Sequence, residues 1–208
     1  MKSPFLFREA KLPKGFPPPG PKFNYPSLTH PNEAFDSNSA GWGGFELGDA
    51  EVEPMIEFGC DGEIFTLAAC MTLPRPRTEV FTFFADPGNL ETLTPPWLRF
   101  HILTPQPVIM RVGALIDYRL RVHGLPVRWQ SEITAWEPPV RFVDEQRRGP
   151  YRVWIHEHTF EEADGGTEVS DHVRYNVLGG RLVNRLLVRR DLHAIFSFRQ
   201  KRLREILG

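Results

Sequence analysis

The sequence is poor in cysteine, in long apolar runs and in net charge, and each shortage excludes a class of protein. Its 208 residues hold two cysteines. Cys60 and Cys70 cannot make a disulfide framework, and without CxxC spacing they do not suggest thiol-redox chemistry. The longest apolar run, 64–73, contains Thr66 and Thr72 and is too short to span a bilayer, so no integral membrane association is expected. The opening residues reach Lys14-Gly15 through prolines and charges with no apolar stretch of signal-peptide kind. Reduced cysteines without a leader point to the cytoplasm. Lys and Arg total 25 against 26 Asp and Glu, a balance that argues against nucleic-acid binding. No Gly-rich loop leads from a strand into a helix, so no phosphate-bearing cofactor is expected.

What is present divides near residue 62. Residues 1–31 hold eight of the twenty prolines, including Pro17-Pro18-Pro19. Proline fixes φ and removes a backbone donor, so regular helix or central strand is not expected there. Asn, Ser, Gly and acids continue to about residue 62. Residues 1–65 carry 5 basic and 10 acidic side chains, against 20 and 16 in residues 66–208. The reading is an acidic, Pro-rich, mostly irregular extension over 1–62 and one folded domain over 63–208. Spaced aromatics in the extension (Phe5, Phe7, Phe16, Phe23, Tyr25, Phe35, Trp42, Phe45) leave open a role in pinning it to the domain or to a protein partner.

From residue 63 the pattern is orderly. A strand is expected over Glu63–Leu73, stopped by Pro74 and Pro76. Thr78 suits the N-cap of a short helix to Ala85, and a second helical turn fits Asn89–Leu93 before Pro95-Pro96. Strand-like stretches follow at Phe100–Leu103, Ala114–Val122, Val127–Trp136, Arg141–Gln146, Tyr151–Phe160 and Thr167–Val177. Turn signals separate them, among them His123-Gly124 and Gly165-Gly166. Connections this short join antiparallel neighbours. Arg181–Leu207 lacks Gly and Pro. It sets Val188, Leu192, Ile195, Phe196, Leu203 and Ile206 largely on one helical face, with a kink or break expected near Arg189–Asp191. A curved sheet must cover its concave face, and the long helix is the only cover available. The expected class is α+β, a helix-grip fold in which a curved antiparallel sheet wraps a long C-terminal helix.

The stretch from Leu73-Pro-Arg-Pro-Arg-Thr-Glu-Val-Phe through Pro95-Pro96-Trp97-Leu98 is similar to the opening of the SRPBCC proteins. This START-like, birch-pollen-allergen-like superfamily includes polyketide cyclase/dehydrase and coenzyme Q-binding START-type members. Gly124–Trp129, Phe142–Gln146, Gly149-Pro150 and Trp154–Phe160 resemble a bacterial branch of it. The resemblance covers 63–208 and implies a helix-grip fold around a hydrophobic cavity. It carries over no catalytic residue, because the superfamily mixes carriers, quinone binders and cyclases.

Strand alternation independently outlines a cavity face. Trp154, His156, His158 and Phe160 share one side, as do Phe142, Asp144 and Gln146; Trp129, Ser131 and Ile133; Ile116, Tyr118 and Leu120; and Val169, Asp171, Val173, Tyr175 and Val177. One β-bulge would invert part of this assignment. The ligand-binding candidates are therefore Tyr118, Trp129, Phe142, Asp144, Trp154, His156, His158, Asp171 and Tyr175, an apolar wall with a few polar groups. His156 and His158, at i and i+2 on a strand, point the same way, as a proton relay or a metal pair requires. The pair faintly resembles a cupin His-x-His motif, but the flanking glycines stand at the wrong distances and no second histidine motif follows, so no metal is expected. Trp97 and Leu98 fit either a lip at the cavity mouth or packing beneath the sheet.

Three functions stay open. The leading one is binding or carriage of a small hydrophobic molecule such as a lipid, quinone or polyketide-like aromatic. The second is a cyclase or dehydratase using His156 or His158 as general acid/base with Tyr175 as donor. The third is an interaction module working through the extension.

Overall fold

The computed structural model describes residues 55–208. The sequence expectations for residues 1–54 lie outside the described residues. Eight strands form one antiparallel sheet: β1 (Met55–Asp61), β2 (Ile64–Leu73), β3 (His101–Ile102), β4 (Leu115–Val122), β5 (Leu125–Glu137), β6 (Arg141–Arg148), β7 (Val153–Ala163) and β8 (Gly166–Asn176). Their spatial order is β1-β2-β8-β7-β6-β5-β4-β3. Apart from the closure of β2 on β8, neighbours in the sheet are neighbours in sequence. This is the meander that the short turns require. Residues 55–61, which the sequence reading left in the irregular extension, form edge strand β1, paired from Met55↔Cys70 to Asp61↔Ile64. Gly62, at φ +60°, turns this hairpin.

Helix α1 (Arg77–Phe84) follows β2. Thr78 is not its cap. The N-cap is Pro76, whose carbonyl accepts from the Glu79 and Val80 amides. Thr78 sits inside the first turn, where its own carbonyl accepts from Thr82 Oγ1. Pro76 displaces it because proline cannot continue a strand yet has the φ that starts a helix. A 3-10 turn (Pro87–Asn89), helix α2 (Leu90–Leu93) and a second 3-10 turn (Pro96–Leu98) lead to β3. His123 and Gly124 both take positive φ, the two-residue turn that matches the twist of β4 and β5.

The C-terminal element begins as α3 (Gly180–Val183), passes through a π-helical turn (Asn184–Val188) and continues as α4 (Arg189–Leu207). The irregularity expected near Arg189–Asp191 thus lies one turn earlier. There Asn184 Oδ1 accepts a 2.9 Å hydrogen bond from the Tyr175 hydroxyl, tying the turn to β8. Leu192, Phe196, Arg199, Gln200, Leu203 and Leu207 form the buried face of α4. Among the described residues no helix is long and apolar enough to cross a membrane.

The core has two clusters. One joins α1 (Val80, Phe81, Phe84) to Phe142, Phe160, Leu203 and Leu207. The other joins Phe65, Leu67 and Tyr175 to Leu192 and Phe196. This is the helix-grip architecture: α4 lies against the concave side of the sheet and fills it incompletely.

Candidate ligand cavity

The space left between sheet and helix is a cavity of about 650 Å³. Pleating decides its walls. Ile116, Tyr118 and Leu120 face it from β4, Trp129, Ser131 and Ile133 from β5, Phe142 and Asp144 from β6, and Trp154, His156 and His158 from β7. Leu192, Ile195, Phe196 and Arg199 close it from α4, and Phe84, Leu93 and Trp97 from the short helical segment. Trp97 is 57% exposed and packs edge-on against Phe198, so it stands at the rim, whereas Leu98 is buried.

The β5–β6 pairing shifts register twice, between Gln130 and Ser131 and again after Ile133. Ile133 pairs with Asp144 but Ala135 pairs with Val143, a register shift that leaves Thr134 between them. Beyond this bulge Trp136, which strict alternation from Ile133 would turn outward, packs on Phe81 and Phe142.

Seven of the nine ligand-binding candidates line the cavity: Tyr118, Trp129, Phe142, Asp144, Trp154, His156 and His158. Asp171 and Tyr175 do not. Asp171 lies behind the two histidines, and Tyr175 is fully buried with its hydroxyl committed to Asn184. Burial pushes the Tyr175 phenol up to about 12. A group so placed is a poor proton donor to a bound molecule, which corrects the sequence-based role for it.

The polar groups form a chain across five strands, β4 to β8. Trp129 Nε1 donates to Ser131 Oγ at 3.1 Å, and Ser131 Oγ donates to Asp144 Oδ1 at 3.1 Å. The Tyr118 hydroxyl lies 3.0 Å from Ser131 Oγ. Asp144 is the Cα partner of His156, and His158 of Asp171, so the imidazoles stand between two carboxylates. His156 Nε2 donates to Asp171 Oδ1 at 3.0 Å, and His158 Nε2 to Asp144 Oδ2 at 3.4 Å. His158 Nδ1 is 2.8 Å from Asp171 Oδ1 but off the N–H direction, so this contact is electrostatic rather than a directed hydrogen bond. From α4, Arg199 Nε approaches Asp171 Oδ2 at 3.5 Å while its guanidinium lies over the Phe84 ring at 5.0 Å.

Sequence reasoning missed Arg199. The signal was present: Leu192, Phe196, Arg199 and Leu203 follow helical spacing, and an arginine in the middle of an apolar stripe needs a buried counter-charge. Here that charge is Asp171.

Burial opposes charge throughout this cluster, and the neighbours decide the outcome. Burial raises the Asp171 carboxyl, but Arg199 and both histidines outweigh it and hold it well below the usual carboxylate range. Asp144 is lowered in the same way, by His158, His156 and Ser131 against burial. Burial and the adjacent His158 push His156 down, so it favours the neutral form. His158 goes up despite burial, because carboxylates flank both of its nitrogens. The buried cluster thus favours one imidazolium, one neutral imidazole, one guanidinium and two carboxylates, which balances its charge. Burial and Asp144 also hold the Tyr118 phenol well above its ordinary value, so it is a neutral hydrogen-bonding group. Asp144, His156 and His158 each place one donor atom within 4.8 Å of the others, a grouping that could hold a cation.

A search of curated proteins finds no match. Among solved structures the fold is similar to that of protein Ms6760 from Mycobacterium smegmatis. That likeness has a TM-score of 0.56 at 20% identity, over 73% of this chain and 97% of the other. A protein from Arthrobacter aurescens aligns with a TM-score of 0.57 at 14% identity, over 73% and 90% of the two chains. Protein CV1439 from Chromobacterium violaceum aligns with a TM-score of 0.56 at 17% identity, over 68% and 96%. At these identities the likeness is one of fold. Residues 73–195 match the family described as polyketide cyclase / dehydrase and lipid transport. That span is more than half of the chain and runs from the end of β2 into α4, taking in both sides of the cavity; the chain belongs to this family.

Proposed function

We propose that the protein binds and carries one small hydrophobic molecule, a lipid, quinone or polyketide-like aromatic, between the sheet and α4. The observation that carries this reading is the cavity itself. About 650 Å³ of space walled by Trp, Tyr, Phe, Leu and Ile falls within the range of small-molecule sites, and its polar groups gather in one chain. Burying roughly 300 Å² of apolar ligand surface contributes about 7 kcal/mol before the entropic costs of binding. Tyr118 and the Ser131–Asp144–His158 chain would orient the ligand's polar end. We assign ligand binding to 63–208, and any protein partner to the extension.

One observation favours a second reading, in which the same molecule is a substrate for cyclisation or dehydration. His156, held neutral at the cavity wall with Asp171 behind its Nε2, has the arrangement of an oriented general base.

Native mass spectrometry of gently purified protein, followed by organic extraction, tests the first reading. A stoichiometric hydrophobic compound is expected. Protein that comes empty and also binds no quinone, fatty acid or aromatic polyketide contradicts it. The double substitution His156→Gln with His158→Gln separates the two readings. A carrier keeps its apolar binding with a loss of about 1–3 kcal/mol from the polar contacts, whereas an enzyme loses turnover altogether.

A further inference from the structure

We propose that Asp144, His156 and His158 form a binding site for a divalent transition-metal ion, Zn²⁺ or Fe²⁺ in class, on the inner wall of the cavity. This goes beyond the carrier reading and does not depend on it. The linear motif argued against a metal because the glycines flanking His156-Glu-His158 stand at the wrong distances and no second histidine motif follows. The third ligand comes instead from across the sheet, where β6 sets Asp144 opposite His156.

The first argument is distance. Asp144 Oδ2 lies 3.4 Å from His158 Nε2 and 3.7 Å from His156 Nδ1. Two donors bound to one tetrahedral ion at 2.0–2.1 Å stand about 3.3 Å apart, close to both of these distances, and all three donors lie within 4.8 Å of one another. The second is what stands behind the donors. Metal-binding histidines turn their other ring nitrogen to a carboxylate or carbonyl, which fixes the ring and raises its basicity. Here Asp171 Oδ1 hydrogen-bonds His156 Nε2 at 3.0 Å, and its charge lies 2.8 Å from His158 Nδ1. Ser131 Oγ occupies Asp144 Oδ1, and Oδ2, which accepts from His158 Nε2 in the metal-free protein, is the oxygen that would coordinate once an ion replaces that proton.

Charge is the third argument. With both imidazoles neutral, as coordination requires, two carboxylates and Arg199 leave one negative charge, so a bound cation takes over the balancing role of the displaced proton. Two nitrogens and one oxygen suit Zn²⁺ or Fe²⁺ and do not suit Mg²⁺ or Ca²⁺, which demand oxygen. Finally, all three ligands line the cavity. Three protein ligands beside an open space make a site with free coordination positions, unlike a closed four-ligand structural site. A ligand carrying adjacent enol or phenol oxygens could fill those positions while its apolar body occupies the cavity.

The test is titration of the chelator-treated full-length protein with Co²⁺, read by its visible ligand-field absorption, followed by competition with Zn²⁺. The expected result is about one equivalent bound. Affinity should fall at least ~100-fold in H158Q and in D144N, and ~10–100-fold in D171N, whose side chain orients the rings and supplies charge without coordinating. H193Q, at an exposed histidine on α4, should bind as the wild type does. Thermal melts establish which variants are folded. Anomalous diffraction from wild-type crystals soaked in Zn²⁺ locates the ion without any substitution, and a peak between these three side chains is expected. No saturable Co²⁺ uptake by the wild type, undiminished uptake by folded H158Q and D144N, or an anomalous peak elsewhere overturns the proposal. Wild-type protein that takes up no metal yet binds a hydrophobic ligand overturns this site alone and leaves the carrier reading standing.

Discussion

Replacing Asp171 by Asn is expected to destabilise the metal-free protein by about 3 kcal/mol at neutral pH, with a fall in Tm of roughly 6–12 °C. Asn keeps the shape and removes the charge. Asp171 is 5% exposed and is the counter-charge of Arg199 at 3.5 Å and of two imidazoles. Removing one member of a buried charge network leaves the others unpaired and typically costs about 3–5 kcal/mol. The lower end applies because His158 can shed its proton and relieve part of the imbalance. The pH dependence has a definite sign. The folded carboxyl is held well below its ordinary value of 3.8, so its contribution is fully present above that value and is lost as pH falls through the folded one. Urea unfolding of both proteins at neutral pH and near pH 3 checks this. The gap between them should narrow in acid, and a gap that stays constant contradicts the electrostatic role.

The second large effect is expected at Phe84. Its ring is 7% exposed and meets Phe160 edge-on at 5.0 Å and His158 at 6.1 Å, with the Arg199 guanidinium over its face at 5.0 Å. Phe84→Ala opens a hole beneath that cation and should cost about 3–5 kcal/mol. Phe84→Leu restores most of the volume but no π face, so a residual loss of about 0.5–2 kcal/mol should remain. Chemical denaturation of the pair separates volume from ring chemistry. If the two variants are equally destabilised, the edge-on and cation contacts dominate. If Phe84→Ala costs under about 1 kcal/mol, Phe84 does not anchor the α1–sheet–α4 junction.

Seven of the eight strands and the C-terminal helix were legible because alternation and helical spacing report burial directly, and burial drives this fold. The losses have local causes. Strand β1 escaped because Met55–Asp61 lies at the sheet edge, exposed over most of its length, and its one apolar face, Ile56 and Phe58, is short and only partly buried against the core. The cap of α1 escaped because a proline took the position that suits Thr78. The bulge after Ile133 was visible only as a risk, since the pairing that creates it is made with β6 and not within β5.

The site was half legible for a related reason. His156 and His158 are adjacent in sequence and declare a shared direction. Their partners Asp144, Asp171 and Arg199 come from β6, β8 and α4, and only sheet register and helix docking bring them together. Register also decides which carboxylate faces the cavity: Asp144 does, while Asp171, opposite His158 on β8, stands behind the rings. Alternation grouped the residues correctly by face but could not say how deep each one sits.

Whether a hydrophobic molecule occupies the space between sheet and α4 is the central question, and methyl-resolved NMR addresses it most directly. Wild-type protein, labelled at Ile, Leu and Val methyls, would be titrated with the compound extracted from it or with a panel of quinones, fatty acids and aromatic polyketides. Saturable shifts at Ile116, Ile133, Leu192 and Ile195, all on the cavity wall, are the expected result, with the exposed Ile109 and Leu125 unmoved. Shifts confined to those exposed methyls, or none with any compound, would contradict it.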